Sequence, residues 1–306
     1  MNTITSIPCV DMKGFVAGSW EDKVKIAGQF GKSLQGIGFV AVTNIGIRAE
    51  TVNKAYTLAK EYFSLPLKEK LKQKSPDGFR GYVPFGQEHA KDSVHRDLKE
   101  FYHTTGPTQP VELCPHLVGF NEPILALYQE LTNCLSSCLE ATTIYLGCDP
   151  AEIHLLRQSI EDAGGLMRLL HYPPIEPTAD PNAMRSGAHE DIGVMTVIPR
   201  ATETGLQVKT REGQWIDVEV PPDAAIINAG DTLQYITAGR IPSTTHRVIN
   251  NPSDRHRYSI PFFGNFPPDF PLKVIRTCQG SGISPVITYG EFMSGRYKKI
   301  GIRKES

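Results

Sequence analysis

Cysteine is sparse in this chain: six in 306 residues (Cys9, Cys114, Cys134, Cys138, Cys148 and Cys278), with no Cys-x-x-Cys pair among them. That spacing excludes a thiolate zinc finger and a disulfide scaffold. It leaves small buried thiols in a reducing compartment, the cytoplasm, as the expectation. No run of about 18 apolar residues occurs, so no membrane span is expected. The opening MNTITSIPCVDM has no basic segment followed by an apolar one, and no secretory signal is expected. An excess of either charge is also missing, since 32 Lys and Arg stand against 33 Asp and Glu. A broad nucleic-acid surface and an acidic disordered region are both excluded as dominant features. Neither an internal repeat nor a low-complexity linker divides the chain, so residues 1–306 read as a single domain. No extensive apolar interface is signalled, and a monomer is expected.

What is present falls into two halves. Residues 1–160 read as a mostly helical layer. An opening strand at Ile7-Pro8-Cys9-Val10-Asp11 precedes a helical stripe over 21–36. Gly36 is the expected stop, and the β-branched run to Val42 is a strand. A second helix is expected over 48–63, ended by Leu65-Pro66. Lysines accumulate from Lys68 to Lys74 and read as a solvated helix end. Phe79 to Gly86 is aromatic and glycine-rich with no period, a loop of the kind that lines sites; Arg80 is its candidate for a substrate carboxylate. The longest helix is expected over 120–147, with Ile124, Tyr128, Leu131, Leu135, Cys138, Thr142 and Tyr145 on one face. Asp149-Pro150 reads as the cap of a short helix to about Arg157.

After Gly164-Gly165 the pattern turns to strands, expected at 166–172, 192–199, 205–209, 215–220, 224–228, 232–236, 246–249 and 256–264. Many short strands in about 100 residues suggest a barrel or a double-sheet jelly roll over 165–270, with helices packed outside. A closing, exposed helix is expected over 285–306. Trp215 and Phe263 read as core aromatics.

Chemistry concentrates between His189 and Ser259. In a strand, residues two apart share a face, so His189 and Asp191 point inward together while Glu190 points away. His246 lies far along the chain, at the start of a β-branched segment, and suits a third ligand. Two imidazoles and one carboxylate on one face of an octahedron leave the opposite face open, the arrangement of non-haem ferrous oxygenases; zinc accepts the same donors. The alternative is a capped loop and a buried histidine. Arg257-Tyr258-Ser259 favours the metal site, because Arg257 and Ser259 share a strand face and can grip a carboxylate in fixed orientation. His89, His95, His103, His116 and His154 lack paired ligands and read as surface residues, and His256 faces away from the cavity.

Together these elements resemble the isopenicillin N synthase-like family of iron(II)- and 2-oxoglutarate-dependent oxygenases. The resemblance runs through Phe63-Ser64-Leu65-Pro66, Arg80-Gly81-Tyr82, Asp97-Leu98-Lys99-Glu100, Tyr172-Pro173-Pro174, Gly187-Ala188-His189-Glu190-Asp191, Asn228-Ala229-Gly230-Asp231, and the His246 and Arg257 motifs. It implies a mainly β fold with flanking helices, a double-stranded β-helix (jelly roll) core backed by N-terminal and central α-helices. It implies that His189, Asp191 and His246 hold Fe(II), and that Arg257 and Ser259, with Tyr172 as a further hydroxyl donor, bind the distal carboxylate of 2-oxoglutarate. Oxygen is then the second co-substrate. A small-molecule metabolite is hydroxylated, desaturated or cyclised with release of succinate and CO2. Because Asp191 is present, halogenation is not implied.

One departure stands out: where plant relatives commonly have asparagine two residues before the tyrosine, this chain has Leu170. Arg168 and His171 are the further candidates for substrate contact. Three alternatives remain at this stage. They are an oxidase of the isopenicillin N synthase type that does not use 2-oxoglutarate, an ethylene-forming variant, and a catalytically silent jelly roll that binds a ligand.

Overall fold

The computed structural model describes residues 5–74, 80–88, 95–105, 119–176, 178–180, 182–250, 255–280 and 286–299. Phe79, His89, Cys114, His116 and the end of the expected closing helix lie outside them.

The N-terminal half supplies strands as well as helices. β1 (Cys9–Asp11) and a short α1 (Lys13–Ala17) lead into α2 (Trp20–Ile37). α2 starts at a reciprocal cap in which Asp22 N–H donates to Ser19 and Ser19 N–H donates to the Asp22 carboxylate. The residue that ends it is Gly38 rather than Gly36, in the left-handed region at φ 73°. β2 (Phe39–Thr43), α3 (Ala49–Phe63), α4 (Leu67–Leu71), β3 (Gly81–Val83) and β4 (Glu100–Thr105) follow. α5 (Asn121–Leu146) is the longest helix, and α6 (Pro150–Ala163) runs six residues past the expected end. Asp149 caps α6 as the sequence indicates, accepting from Glu152 N–H at 2.9 Å.

The second half is β5 (Gly165–Tyr172), β6 (Ser186–His189), β7 (Met195–Pro199), β8 (Leu206–Lys209), β9 (Trp215–Asp217), β10 (Ala225–Ala229), α7 (Asp231–Ile236), β11 (His246–Val248), β12 (Arg257–Ser259) and β13 (Phe262–Gly264). The strand expected at 232–236 is thus the helix α7. Asp231 N–H donates to Asp191 O and Thr232 N–H to Ile192 O, and these long-range bonds hold the turn against a β-rich local composition. The strand expected from 192 starts only at Met195. A small pair, β14 (Pro271–Leu272) and β15 (Ile287–Thr288), precedes α8 (Tyr289–Lys299), which is not a free exposed helix, because Tyr289 and Phe292 are buried.

Two sheets face each other in a jelly roll. The larger has the order β1-β2-β10-β7-β13-β5-β4-β3, with β12 also pairing β5; the smaller is β6-β11-β8-β9. Alternation along each strand of the large sheet feeds two cores. Val40, Val42, Met167, Leu169, Val197 and Ile227 face α2, α3 and α5. Phe39, Ala41, Leu170, Tyr172, Ile198 and Ile226 face the small sheet. Burial on both faces explains why β2, β7 and β10 read as nearly continuous apolar runs.

Candidate active site

His189 and His246 are directly paired across β6 and β11. The register brings together two residues that are fifty-seven positions apart in sequence. Asp191 follows β6 in a loop, and its Oδ1 lies 3.8 Å from Nε2 of each histidine. One ligand atom from each residue falls within 4.8 Å of the others. Each imidazole is oriented by its own chain: His189 Nδ1 donates to Gly187 O at 2.8 Å, and His246 Nδ1 to Thr244 O at 3.1 Å. Both Nε2 lone pairs therefore point at the space shared with Asp191. Phe39 packs edge-on against the His246 ring at 5.4 Å.

Asp191 is fixed by its other oxygen. Oδ2 accepts from Thr196 Oγ1 at 2.6 Å and from Asn228 Nδ2 at 2.8 Å. Burial pushes this carboxylate up, but the two histidines and these bonds outweigh it and hold it below the usual range. His189 is depressed to about 4, first by burial and then by His246, so its ring is neutral near pH 7. Asn228 belongs to Asn228-Ala229-Gly230-Asp231, and Gly230 has its own reason to be there. A Cβ on it would sit 2.2 Å from Gly193 O and 2.9 Å from Asp191 O. Only glycine lets this segment approach the loop that carries the carboxylate.

The triad opens on a cavity of about 480 Å³ between the two sheets. Arg257 and Ser259 share one face of β12 and both line it, as do Tyr172, Leu170 and Arg168 from the same face of β5. Arg257 is buried, its guanidinium lies 4.9 Å from the Tyr172 ring centre, and its Nε donates to the carbonyls of Glu203 and Thr204. Its Nη1 is buried without a partner. A buried cationic donor left in this state fits an incoming carboxylate. The donor set of two neutral imidazoles and one carboxylate, with this guanidinium in the same cavity, fits Fe(II) and a dicarboxylate together.

The wall on the other side of the triad was not legible in the sequence. Lys99 and Ser186 line it, and Lys99 Nζ contacts Asp97 at 2.8 Å, Glu88 at 3.0 Å and Ser186 Oγ at 3.3 Å. Arg168 donates to both Glu88 oxygens, at 3.1 and 3.2 Å, and through Nε to His103 Nε2 at 2.5 Å. Burial opposes ionisation of Glu88, but Arg168 and then Lys99 hold it well below the usual carboxylate range. Asp97 also accepts from Gly187 N–H at 2.9 Å. It thereby pins the residue whose carbonyl orients His189, which gives the Asp97-Leu98-Lys99-Glu100 motif a physical role.

Several expected positions differ. His171 alternates away from Arg168 and Tyr172 and packs beneath the helices, stacked on Phe63 at 5.2 Å and Tyr258 at 4.8 Å; it does not line the cavity. Arg80 is exposed and outside the cavity wall. His103 is buried in β4 rather than at the surface. Lys70 belongs to no solvated helix end: it is buried, with Nζ 2.8 Å from Glu100. Phe263 lines the cavity instead of the core, and Trp215 is half-buried beneath Arg247 at 4.0 Å. His256 does face away from the cavity, with Nδ1 2.8 Å from His171 Nε2.

Comparison with known proteins agrees with the geometry. Residues 7–117 match the model of the non-haem dioxygenase N-terminal region named for morphine synthesis, and residues 164–265 match that of the 2OG-Fe(II) oxygenase superfamily. The chain is 30% identical to the 2-oxoglutarate-Fe(II) type oxidoreductase hxnY of Emericella nidulans, over 99% of this chain and 92% of that protein. Its fold matches a full-length Neurospora crassa protein solved in complex with alpha-KG at a TM-score of 0.85, with 26% identity and 97% of each chain covered. A 2OG-Fe(II) oxygenase family protein from Caulobacter crescentus matches at a TM-score of 0.82 and 32% identity, over 97% of this chain and all of that one. With the triad, the buried guanidinium and these relatives in agreement, the chain belongs to the 2OG-Fe(II) oxygenase superfamily and is a non-haem, 2-oxoglutarate-dependent dioxygenase.

Proposed function

We propose that this dioxygenase oxidises a small-molecule metabolite by hydroxylation, desaturation or cyclisation, with release of succinate and CO2. Bound Fe(II), with 2-oxoglutarate and oxygen, supplies the oxidising chemistry. His189, Asp191 and His246 are the residues that would hold the metal, Asp191 through Oδ1 because Thr196 and Asn228 occupy Oδ2. Arg257 and Ser259 would hold the distal carboxylate of 2-oxoglutarate, with the Tyr172 ring keeping the guanidinium in place. The observation that carries this reading is the buried, unpartnered Arg257 Nη1 in the cavity onto which the triad opens.

The metabolite would lie against Arg168 and Lys99. Of the five N–H donors of Arg168, three are spent on Glu88 and His103, and two remain for an acceptor on the substrate. Lys99 and Arg168 are matched in charge by Glu88 and Asp97, so this wall offers donors without a net charge. That suits a polar, acceptor-bearing molecule. Leu170 supplies no amide toward the cavity, and the inner end of 2-oxoglutarate would depend on the metal. The buried, unpaired thiols of Cys134 and Cys138 support action in the cytoplasm; no helix among the described residues is long and apolar enough to cross a membrane.

The test is a screen of polar metabolites, scored by succinate formed per oxygen consumed. At least one compound is expected to raise succinate release in step with its own consumption, with strict dependence on added 2-oxoglutarate. Oxygen uptake on a substrate with no 2-oxoglutarate present would contradict this reading.

A further inference from the structure

Arg185 is a fully buried cation that none of the chemistry above uses; it is 0% exposed, just before β6. Its backbone N–H donates to Asn250 Oδ1 at 2.9 Å and its Nη2 to the carbonyl of Arg255 at 3.1 Å. Nε and Nη1 have no partner. Buried guanidinium groups ordinarily sit in a fork with a carboxylate, since an unmade bond to a buried charge is costly. Here, among the described residues, no carboxylate fills that place.

Its surroundings place it at the Arg257 end of the cavity. The next residue in the chain (Ser186), the strand partner of that residue (Val248) and the residue that Nη2 contacts (Arg255) all line the cavity. Arg185 lies within the field of Arg257: burial first, and Arg257 next, lower its pKa, while Tyr172 and Glu203 act against them. Glu203 is the carboxylate in that field, and it is drawn to the exposed Arg255 at 3.6 Å. Three guanidinium nitrogens, two on Arg185 and one on Arg257, are therefore buried without partners at one end of the cavity. Two like charges held together without compensation are a standing electrostatic cost that an anion removes.

We infer that Arg185 is a second cationic anchor for the distal carboxylate of 2-oxoglutarate, acting beside Arg257. This rests on the reading of Arg257 given above. The carboxylate subsite is then a two-guanidinium site, and discrimination between co-substrate acids arises from charge at that end as well as from chelation at the metal.

The experiment is calorimetric titration of 2-oxoglutarate into the full-length, iron-loaded chain under anaerobic conditions, with metal content determined for each variant. Arg185→Gln is expected to weaken 2-oxoglutarate binding about tenfold, the loss of one charge-assisted contact, at unchanged iron content. Arg185→Lys, which keeps the charge but not the fork, is expected to weaken it about threefold. A merely structural role would lower the melting temperature without ligand and leave the dissociation constant alone. Wild-type affinity in a folded Arg185→Gln would overturn the proposal; should that variant not fold, wild-type affinity in Arg185→Lys would do the same. Arg257→Gln separates the two layers: unchanged binding there would remove the reading of Arg257 itself, whereas weakened binding there with none in the Arg185 variants removes only the second anchor.

Discussion

Asp191 carries the tightest set of constraints in the cavity. One oxygen faces two imidazoles, the other is held by Thr196 and Asn228, and its backbone carbonyl accepts from Asp231. Groups that orient a ligand in this way commonly change metal affinity by roughly 10–100-fold when removed. Asn228→Ala is accordingly expected to weaken iron binding by about that factor while the chain stays folded, measured by anaerobic iron titration. Equal affinity in the variant would show that Asn228 does not set the carboxylate. At this scale the triad, Arg257, Ser259 and Tyr172 were legible in the sequence, because strand alternation and motif order fix which side they face. Lys99 and Arg185 were not. Charged residues usually signal solvent, and nothing local reveals that Asp97 and Glu88 fold over Lys99, or that Arg185 is enclosed by residues from 250 and 255.

Among elements, the seam of β4, β5 and β12 joins the N-terminal half to the cavity. Behind it, Glu100 receives Lys70, Tyr82 and His171, and His171 meets His256. Burial would raise the Glu100 pKa, but hydrogen bonds from His171, Lys70 and Tyr82 hold it below the usual carboxylate range. A carboxylate depressed in the folded state contributes stability above its unfolded pKa and loses it as pH falls through the folded value. Glu100→Gln leaves Lys70 buried without its counter-charge and is expected to cost about 3–5 kcal/mol near pH 7. The gap to wild type should narrow as pH drops below the ordinary carboxylate range, as denaturant melts at several pH values would show. A gap independent of pH would contradict this.

The α2–α5 contact permits a second prediction at the same scale. A Cβ on Gly31 would lie 2.0 Å from Tyr145 Cγ and 2.5 Å from its Cβ, an atom no rotamer can move. Gly31→Ala is expected to destabilise by about 1–3 kcal/mol through overpacking, with iron binding unchanged; thermal melts and iron titration of the variant would check both halves. Helix positions were readable from period and caps. α7 was not, since Thr232-Leu233-Gln234-Tyr235-Ile236 has the composition of a strand and is turned into a helix by bonds to the Asp191 loop.

At the scale of the whole molecule, two sheets enclose one cavity with the triad between two differently charged walls. The Arg257 end carries uncompensated cations suited to an acid, and the Arg168 end is charge-balanced and suited to a neutral polar molecule. The jelly roll itself could be inferred from eight short strands and their turns. The division of the cavity could not, because it depends on which strands lie opposite one another. Arg168→Leu is expected to raise KM for the metabolite at least about tenfold with little change in KM for 2-oxoglutarate, whereas Arg257→Gln is expected to show the reverse. Steady-state kinetics with each co-substrate varied in turn would reveal any mixing of the two effects.

The most direct test of the central claim is optical. Under anaerobic conditions, the iron-loaded chain is titrated with 2-oxoglutarate and followed for the visible charge-transfer absorption of a keto acid chelated to Fe(II). The wild-type chain is expected to develop the band with saturation at one 2-oxoglutarate per iron, and the His246→Ala chain to develop none. A band of equal intensity in His246→Ala, or none in the wild type with iron bound, would contradict the assignment of His189, Asp191 and His246 as the metal site.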